Sequence, residues 1–133
     1  MEATVLTHRE TQPPLQGLRI IETEGLLTAY CGKLLASLGA DVIKLEGPDG
    51  DPARRMMNAS DGSNHTSSTA YWYNNLGKQI FRCDLSSPVG KDAFTTFIEG
   101  ADVLLTDMQP SRMVRLGISL DDLTAANPRL IVT

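Results

Sequence analysis

The chain has 133 residues, of which 41% are hydrophobic and 21% charged, and it carries a formal net charge of −4. That is enough for one domain with a real core, and the acidic balance, without a basic run, excludes a nucleic-acid surface. The two cysteines, Cys31 and Cys83, are isolated thiols without metal-ligand spacing, which implies no metal and suits a reducing cytoplasm.

The opening "MEATVLTHRETQPPLQ" lacks the apolar centre of a signal peptide, and no stretch approaches the length of a membrane span. Residues 1–14 read as a flexible lead-in ended by Pro13 and Pro14, and 15–133 as one domain. The first strand is "LRIIE" at 18–22. The turn after it, "TEGLLTAYCG", contains no G-x-G-x-x-G fingerprint, which weakens a dinucleotide reading. A helix over 29–38 places Leu34, Leu35 and Leu38 on one face and stops at Gly39, which suits a left-handed C′ position. "DVIKLE" at 41–46 is the second strand. Glu46 closes it, either as the acid that holds a ribose in dinucleotide folds or, more simply, as an exposed strand-end carboxylate.

Residues 47–70 are rich in Gly, Pro, Asp, Asn and Ser without a sustained period, so they predict a long surface loop. Within it "NAS" and "NHT" match the glycosylation pattern by chance, and His65, like His8 in the lead-in, has no partner at catalytic spacing. "AYWYNNLGKQ" reads as a short helix returning the chain to a third strand at 79–84. A helix over 87–99 follows, with Val89, Phe94, Phe97 and Ile98 on one stripe, Pro88 in its first turn and Gly100 as its stop. A fourth strand covers 102–106, and its Asp102 repeats the position of Asp41, so both read as strand-opening residues. "SLDDLTAAN", capped by Ser119, gives a turn or two of helix before a fifth strand at 129–133.

Strand–helix–strand units in succession imply parallel pairing with right-handed crossovers, a Rossmann-like, doubly wound α/β sheet. Ligands of such sheets sit beyond the carboxyl ends of the strands. Arg54, Arg55, Lys78, Arg112 and Arg115 lie near predicted strand ends or in the loops after them, where each is either a phosphate contact or ordinary surface charge.

The runs "PLQGLRIIE", "AYCGKLLASLGADVIKLEGPDGDPAR", "NLGKQIFRCDLSSPVGKDAF" and "GADVLLTDMQPSRMVRLGISLDDLTAANPRLI" resemble the N-terminal part of family III CoA-transferases, the CaiB/BaiF group. That group includes formyl-CoA and carnitine CoA-transferases and α-methylacyl-CoA racemases. The resemblance implies a CoA-binding half-domain of a fold in which two subunits interlock, with a CoA thioester and a carboxylic acid as substrates. Carried over by position, it makes Arg115 a CoA-phosphate contact with Leu116 in register, and Cys83 a pocket-lining residue. Asp107 and Met108 stand where relatives commonly have Asn-Phe beside CoA, so a carboxylate replaces an amide close to a polyanion. Gly47 and Ser86 stand where relatives can carry a basic residue, and "TEGLLTAYC" is shorter than the usual loop. Arg54 and Lys78 keep family identity, as secondary basic contacts or as structural residues.

The carboxylate that attacks the acyl-CoA carbonyl in these enzymes has no counterpart before Thr133, so the isolated chain is expected to be inactive. The favoured reading is the N-terminal portion of a longer transferase, working as a homodimer or with a complementing chain, because the last strand leaves a sheet edge uncovered. A non-catalytic partner-binding remnant or subunit, a racemase fragment and a dinucleotide-binding module are the alternatives.

Overall fold

The structure, a computed structural model, describes residues 12–23, 25–55 and 68–133. His8, His65, both glycosylation patterns and most of the lead-in fall outside those residues. Five parallel strands form one sheet in the order β3-β2-β1-β4-β5. They are β1 (Arg19–Thr23), β2 (Asp41–Glu46), β3 (Gln79–Arg82), β4 (Val103–Leu105) and β5 (Ile131–Val132). Every pairing is parallel, as expected, with Glu22 opposite Lys44 and Ile21 opposite Leu104. Chain direction across the sheet reverses between β1 and β4, which makes that boundary the topological switch point.

Among the described residues the helices are α1 (Leu26–Ser37), α2 (Thr69–Asn75), α3 (Pro88–Glu99), α4 (Pro110–Leu116) and α5 (Leu120–Ala126), with a 3₁₀ turn at Pro52–Arg55. Local chemistry explains their ends. Ser68, Ser87 and Ser119 each accept a backbone N–H as N-caps, and Gly39 (φ +97) and Gly117 (φ +68) take the left-handed region after α1 and α4. Asp41 opens β2, and Asp102, just before β4, accepts the Arg19 N–H at 2.8 Å, so both acids sit where strands begin. Helix α4 was not expected from sequence, because "PSRMVRL" has no apolar stripe and α4 buries none of its residues.

Alternation along β1 and β2 divides the core into two layers. Ile21, Ile43 and Leu45 point to one face, where Phe94 and Ile98 of α3, Leu104 and Leu123 of α5 close over them. Burying such side chains contributes roughly 1.5–3 kcal/mol each. The buried line of α3 is Gly90, Phe94 and Ile98, whereas Val89, expected on it, is 79% exposed. Ile20, Val42 and Leu105 form the second, smaller layer.

Helix α1 corrects the expected pattern more sharply. It buries Thr28, Ala29 and Gly32, while Leu34 and Leu38, which the spacing places on one face with Leu35, are nearly half exposed. The cause lies beneath Gly32, where an added Cβ would come within 1.8 Å of a Glu22 carboxylate oxygen. The helix therefore meets the sheet through its smallest residues, over a charged group rather than over an apolar layer.

Candidate functional site

Side chains two apart on a strand share a face, so Lys44 and Glu46 point the same way from β2, and register sets Glu22 beside Lys44. All three are buried. Glu22 accepts from Lys44 Nζ at 2.9 Å and from Lys78 Nζ at 2.7 Å, and Lys44 also pairs with Asp51 at 2.6 Å. Lys78, its side chain fully buried, also donates to the Ala29 carbonyl at 2.8 Å and to Asn75 Oδ1 at 3.2 Å. Burial alone would lower both ammonium groups; Glu22 and Asp51 outweigh it at Lys44, which is raised, but Glu22 only partly offsets it at Lys78, which stays lowered.

Glu46 completes this charged layer. Arg54 grips it through Nε at 2.9 Å and Nη2 at 3.1 Å, and the Tyr71 hydroxyl donates to it at 2.6 Å. Arg54 also donates to the Tyr71 hydroxyl and lies with its guanidinium carbon 3.9 Å from that ring's centroid. Burial, then the Glu46 carboxylate, pushes the Tyr71 phenol well above its usual range. The exposed strand-end acid expected from sequence is thus 1% exposed and spoken for within the fold. It offers nothing to a ribose. Arg54 and Lys78, expected as secondary basic contacts or as structural residues, each form an ion pair within the fold, Arg54 with Glu46 and Lys78 with Glu22.

A cavity of about 230 Å³ opens above the carboxyl ends of β1–β3. Leu45, Cys83 and Leu85 give it apolar surface, the loop from Gly47 to Pro52 forms one wall, and Met108, Arg112 and Leu116, at and within α4, form another. Asp84, Ser86 and Arg55 also line it. Asp84 stays anionic because Ser86 donates to it through both its hydroxyl and its N–H, which holds its carboxyl low. Cys83, Met108 and Leu116 are brought together at this cavity, with Gly47 and Ser86 beside them. Arg115 is exposed in the last turn of α4, next to Leu116 but outside the lining. The basic residues that do line the cavity are Arg55 and Arg112. Sequence reasoning had placed both near strand ends but carried neither into the site.

Asp107 turns away from the cavity to the switch point. Its Oδ2 accepts the Leu27 N–H of α1 at 3.2 Å, and its carboxylate lies against Gly25, where a Cβ would come within 2.0 Å of Oδ1. Helix α1 has no side-chain cap of its own and no acid in its first turn, so Asp107 supplies the negative charge that its N-terminus favours. Beside it the Thr23 and Thr106 hydroxyls meet at 2.8 Å across β1 and β4. The position that takes a phosphate in dinucleotide folds is filled by the protein's own carboxylate.

The cysteines differ in a measurable way. Cys83 is 5% exposed and donates to the Gly90 carbonyl at 3.2 Å, and burial, then Asp84, pushes its thiol above the usual 9.0; Cys31 is exposed. An aromatic disulfide reagent at pH 8 should modify Cys31 at least about tenfold faster than Cys83, since the thiolate is the nucleophile. Because the folded thiol holds its proton longer than the unfolded one, its stabilising effect is complete below pH 9.0 and is lost as pH rises further. Cys83→Ala should remove that share of the alkaline decline in denaturation midpoints. Equal reactivity of the two thiols would contradict the buried placement.

An open parallel sheet with a cavity at its strand ends defines a doubly wound α/β domain, and sequence comparison specifies its family. Residues 15–133 match CoA-transferase family III, and the chain belongs to that family. It is 38% identical over 118 residues to a succinyl-CoA:(R)-benzylsuccinate CoA-transferase subunit of Thauera aromatica, covering 86% of this chain and 28% of the relative. It is 33% identical to a succinate–glutarate CoA-transferase of Agrobacterium fabrum, covering 90% and 31%. The crystal structure of a CaiB/BaiF family protein from Brucella suis superimposes with a TM-score of 0.80 at 31% identity, over 92% of this chain and 33% of that one. The chain spans about a third of the length of these relatives and corresponds to their N-terminal part.

Proposed function

We propose that this chain is the CoA-binding portion of an enzyme that transfers CoA between a thioester and a carboxylic acid. The observation that carries the reading is the cavity, with its apolar surface and two guanidinium-bearing residues at the carboxyl ends of parallel strands in a family III sequence. Its volume lies below the roughly 300–1,000 Å³ of pockets that enclose whole ligands, so it takes one part of CoA, the nucleotide end. Arg55 and Arg112 meet the phosphates there, with Arg115 beside them. The acyl group and the attacking carboxylate belong to the remainder of the catalytic unit, supplied in the complete enzyme by further chain or by a partner subunit. A soluble, cytoplasmic setting and assembly as a homodimer or with a complementing chain accompany this reading. The dinucleotide alternative has lost its ribose acid to Arg54 and its phosphate position to Asp107.

Calorimetric titration of the chain with CoA and with NAD tests the proposal. CoA should bind, more weakly as salt screens the phosphates, while NAD gives no heat of binding. NAD binding without CoA binding would overturn it.

A further inference from the structure

The charged layer has an inner part, which joins α1 and α2 to the sheet through Glu22 and Lys78, and an outer part, which holds a loop. Within residues 47–55, Asp51 meets Lys44 Nζ at 2.6 Å and Arg54 meets Glu46 at 2.9 and 3.1 Å. Both anchors stand on one face of β2. Between them the loop is closed by the Gly50 N–H on the Gly47 carbonyl at 3.0 Å and by the Ala53 N–H on Asp51 Oδ1 at 2.6 Å. The same loop contributes Gly47, Pro48, Asp49, Gly50, Pro52 and Arg55 to the cavity, whereas Lys44, Glu46, Asp51 and Arg54 do not line it.

We propose that the pairs Lys44–Asp51 and Glu46–Arg54 are positioning pairs that set the 47–55 loop as the cavity wall, so that CoA affinity depends on residues that do not touch CoA. The second half of this rests on the CoA reading of the cavity.

General stabilisation does not account for the arrangement. Desolvation offsets much of the attraction in a buried ion pair, and apolar residues of similar volume often serve stability as well. What charged pairs add is direction, since the planar fork of Arg54 fits a carboxylate in few orientations. The loop is seated on that fork. Gly50 adopts φ +72, and a Cβ there would lie 3.2 Å from Arg54 Cδ and 3.5 Å from a Glu46 carboxylate oxygen. Arg55 follows Arg54 directly and is fixed to the Asp49 carbonyl at 2.8 Å, so the orientation of one arginine carries the other to the cavity.

The test combines amide hydrogen exchange with CoA titration in the full chain carrying Arg54→Ala, and in Arg54→Lys, which keeps the charge but not the fork. In both variants, exchange at Gly50, Ala53 and position 54 should rise at least tenfold more than at the β1 and β2 amides, and CoA should bind about tenfold more weakly. Arg54→Lys keeps the test alive should Arg54→Ala fail to fold. Exchange that rises by the same factor in the loop and in β2 would show a global stabilising role and overturn the proposal. So would unchanged CoA affinity with a loosened loop. Should the unmodified chain not bind CoA, the CoA reading fails, and the exchange pattern still decides whether the pairs hold the loop.

Discussion

Glu22→Gln should destabilise the chain by about 3–5 kcal/mol, the range for removing one partner of a buried ion pair. Glu22 is 0% exposed and lies between two buried ammonium groups, at 2.9 Å from Lys44 and 2.7 Å from Lys78. A glutamine fits the space but can offer its oxygen to only one of them, and it turns an amide donor toward the other. Lys44 retains Asp51, whereas Lys78 keeps only a carbonyl and an amide oxygen as acceptors. Urea denaturation, with the slope unchanged, measures the loss, and Glu99→Gln on the exposed end of α3 should change stability by less than about 0.5 kcal/mol. The deficit has a pH signature. Burial holds Lys78 below its usual 10.5, so over the range beneath that value the unfolded chain binds more protons than the folded one, and stability gains as pH rises. Without Glu22 the gain should be larger, and the deficit should shrink as pH 10.5 is approached. A loss under about 1 kcal/mol would mean that Glu22 is not the centre of the network.

Replacing Arg112 and Arg115 together with alanine should weaken CoA binding about a hundredfold. The two side chains come from α4, one lining the cavity and one exposed beside Leu116. Charge-assisted bonds to phosphate contribute roughly 1.5–3 kcal/mol each, and exposure places these near the lower end, so two amount to about 3 kcal/mol. Their loss should also flatten the salt dependence of binding, because fewer cations then oppose the phosphates. Arg129→Ala, exposed near β5 and away from the cavity, is the control. Unchanged affinity and an unchanged salt dependence in the double variant would remove α4 from the CoA site.

The order of the strands and of the helices other than α4 was legible because each signal is local. "GADV" after a helical run reads as a stop and a strand wherever it occurs, and both copies behave so, at β2 and at β4. Cys83, Met108 and Leu116, which line one cavity, were singled out by family resemblance and by no periodicity. The charged layer was not legible, although "DVIKLE" contains a signal: Lys44 is a charge inside a parallel strand, where both faces are normally apolar. Recognising it as buried requires the partner, and Glu22 and Asp51 come from other segments.

By itself, the sequence determined the parallel α/β sheet, the stops after α1 and α3, the cap of α5 and the family, since these rest on periodicity, capping chemistry and matching residues along the chain. Only the tertiary structure decided the fate of the charges. It sent Glu46 and Arg54 inward to each other, Lys78 to Glu22, Asp107 to the N-terminus of α1, and Arg55 and Arg112 to the cavity. The physical reason is that a buried charge is tolerated only with a partner, and the partner is chosen by register and packing between segments as far apart as Glu22 and Lys78, which no local pattern encodes.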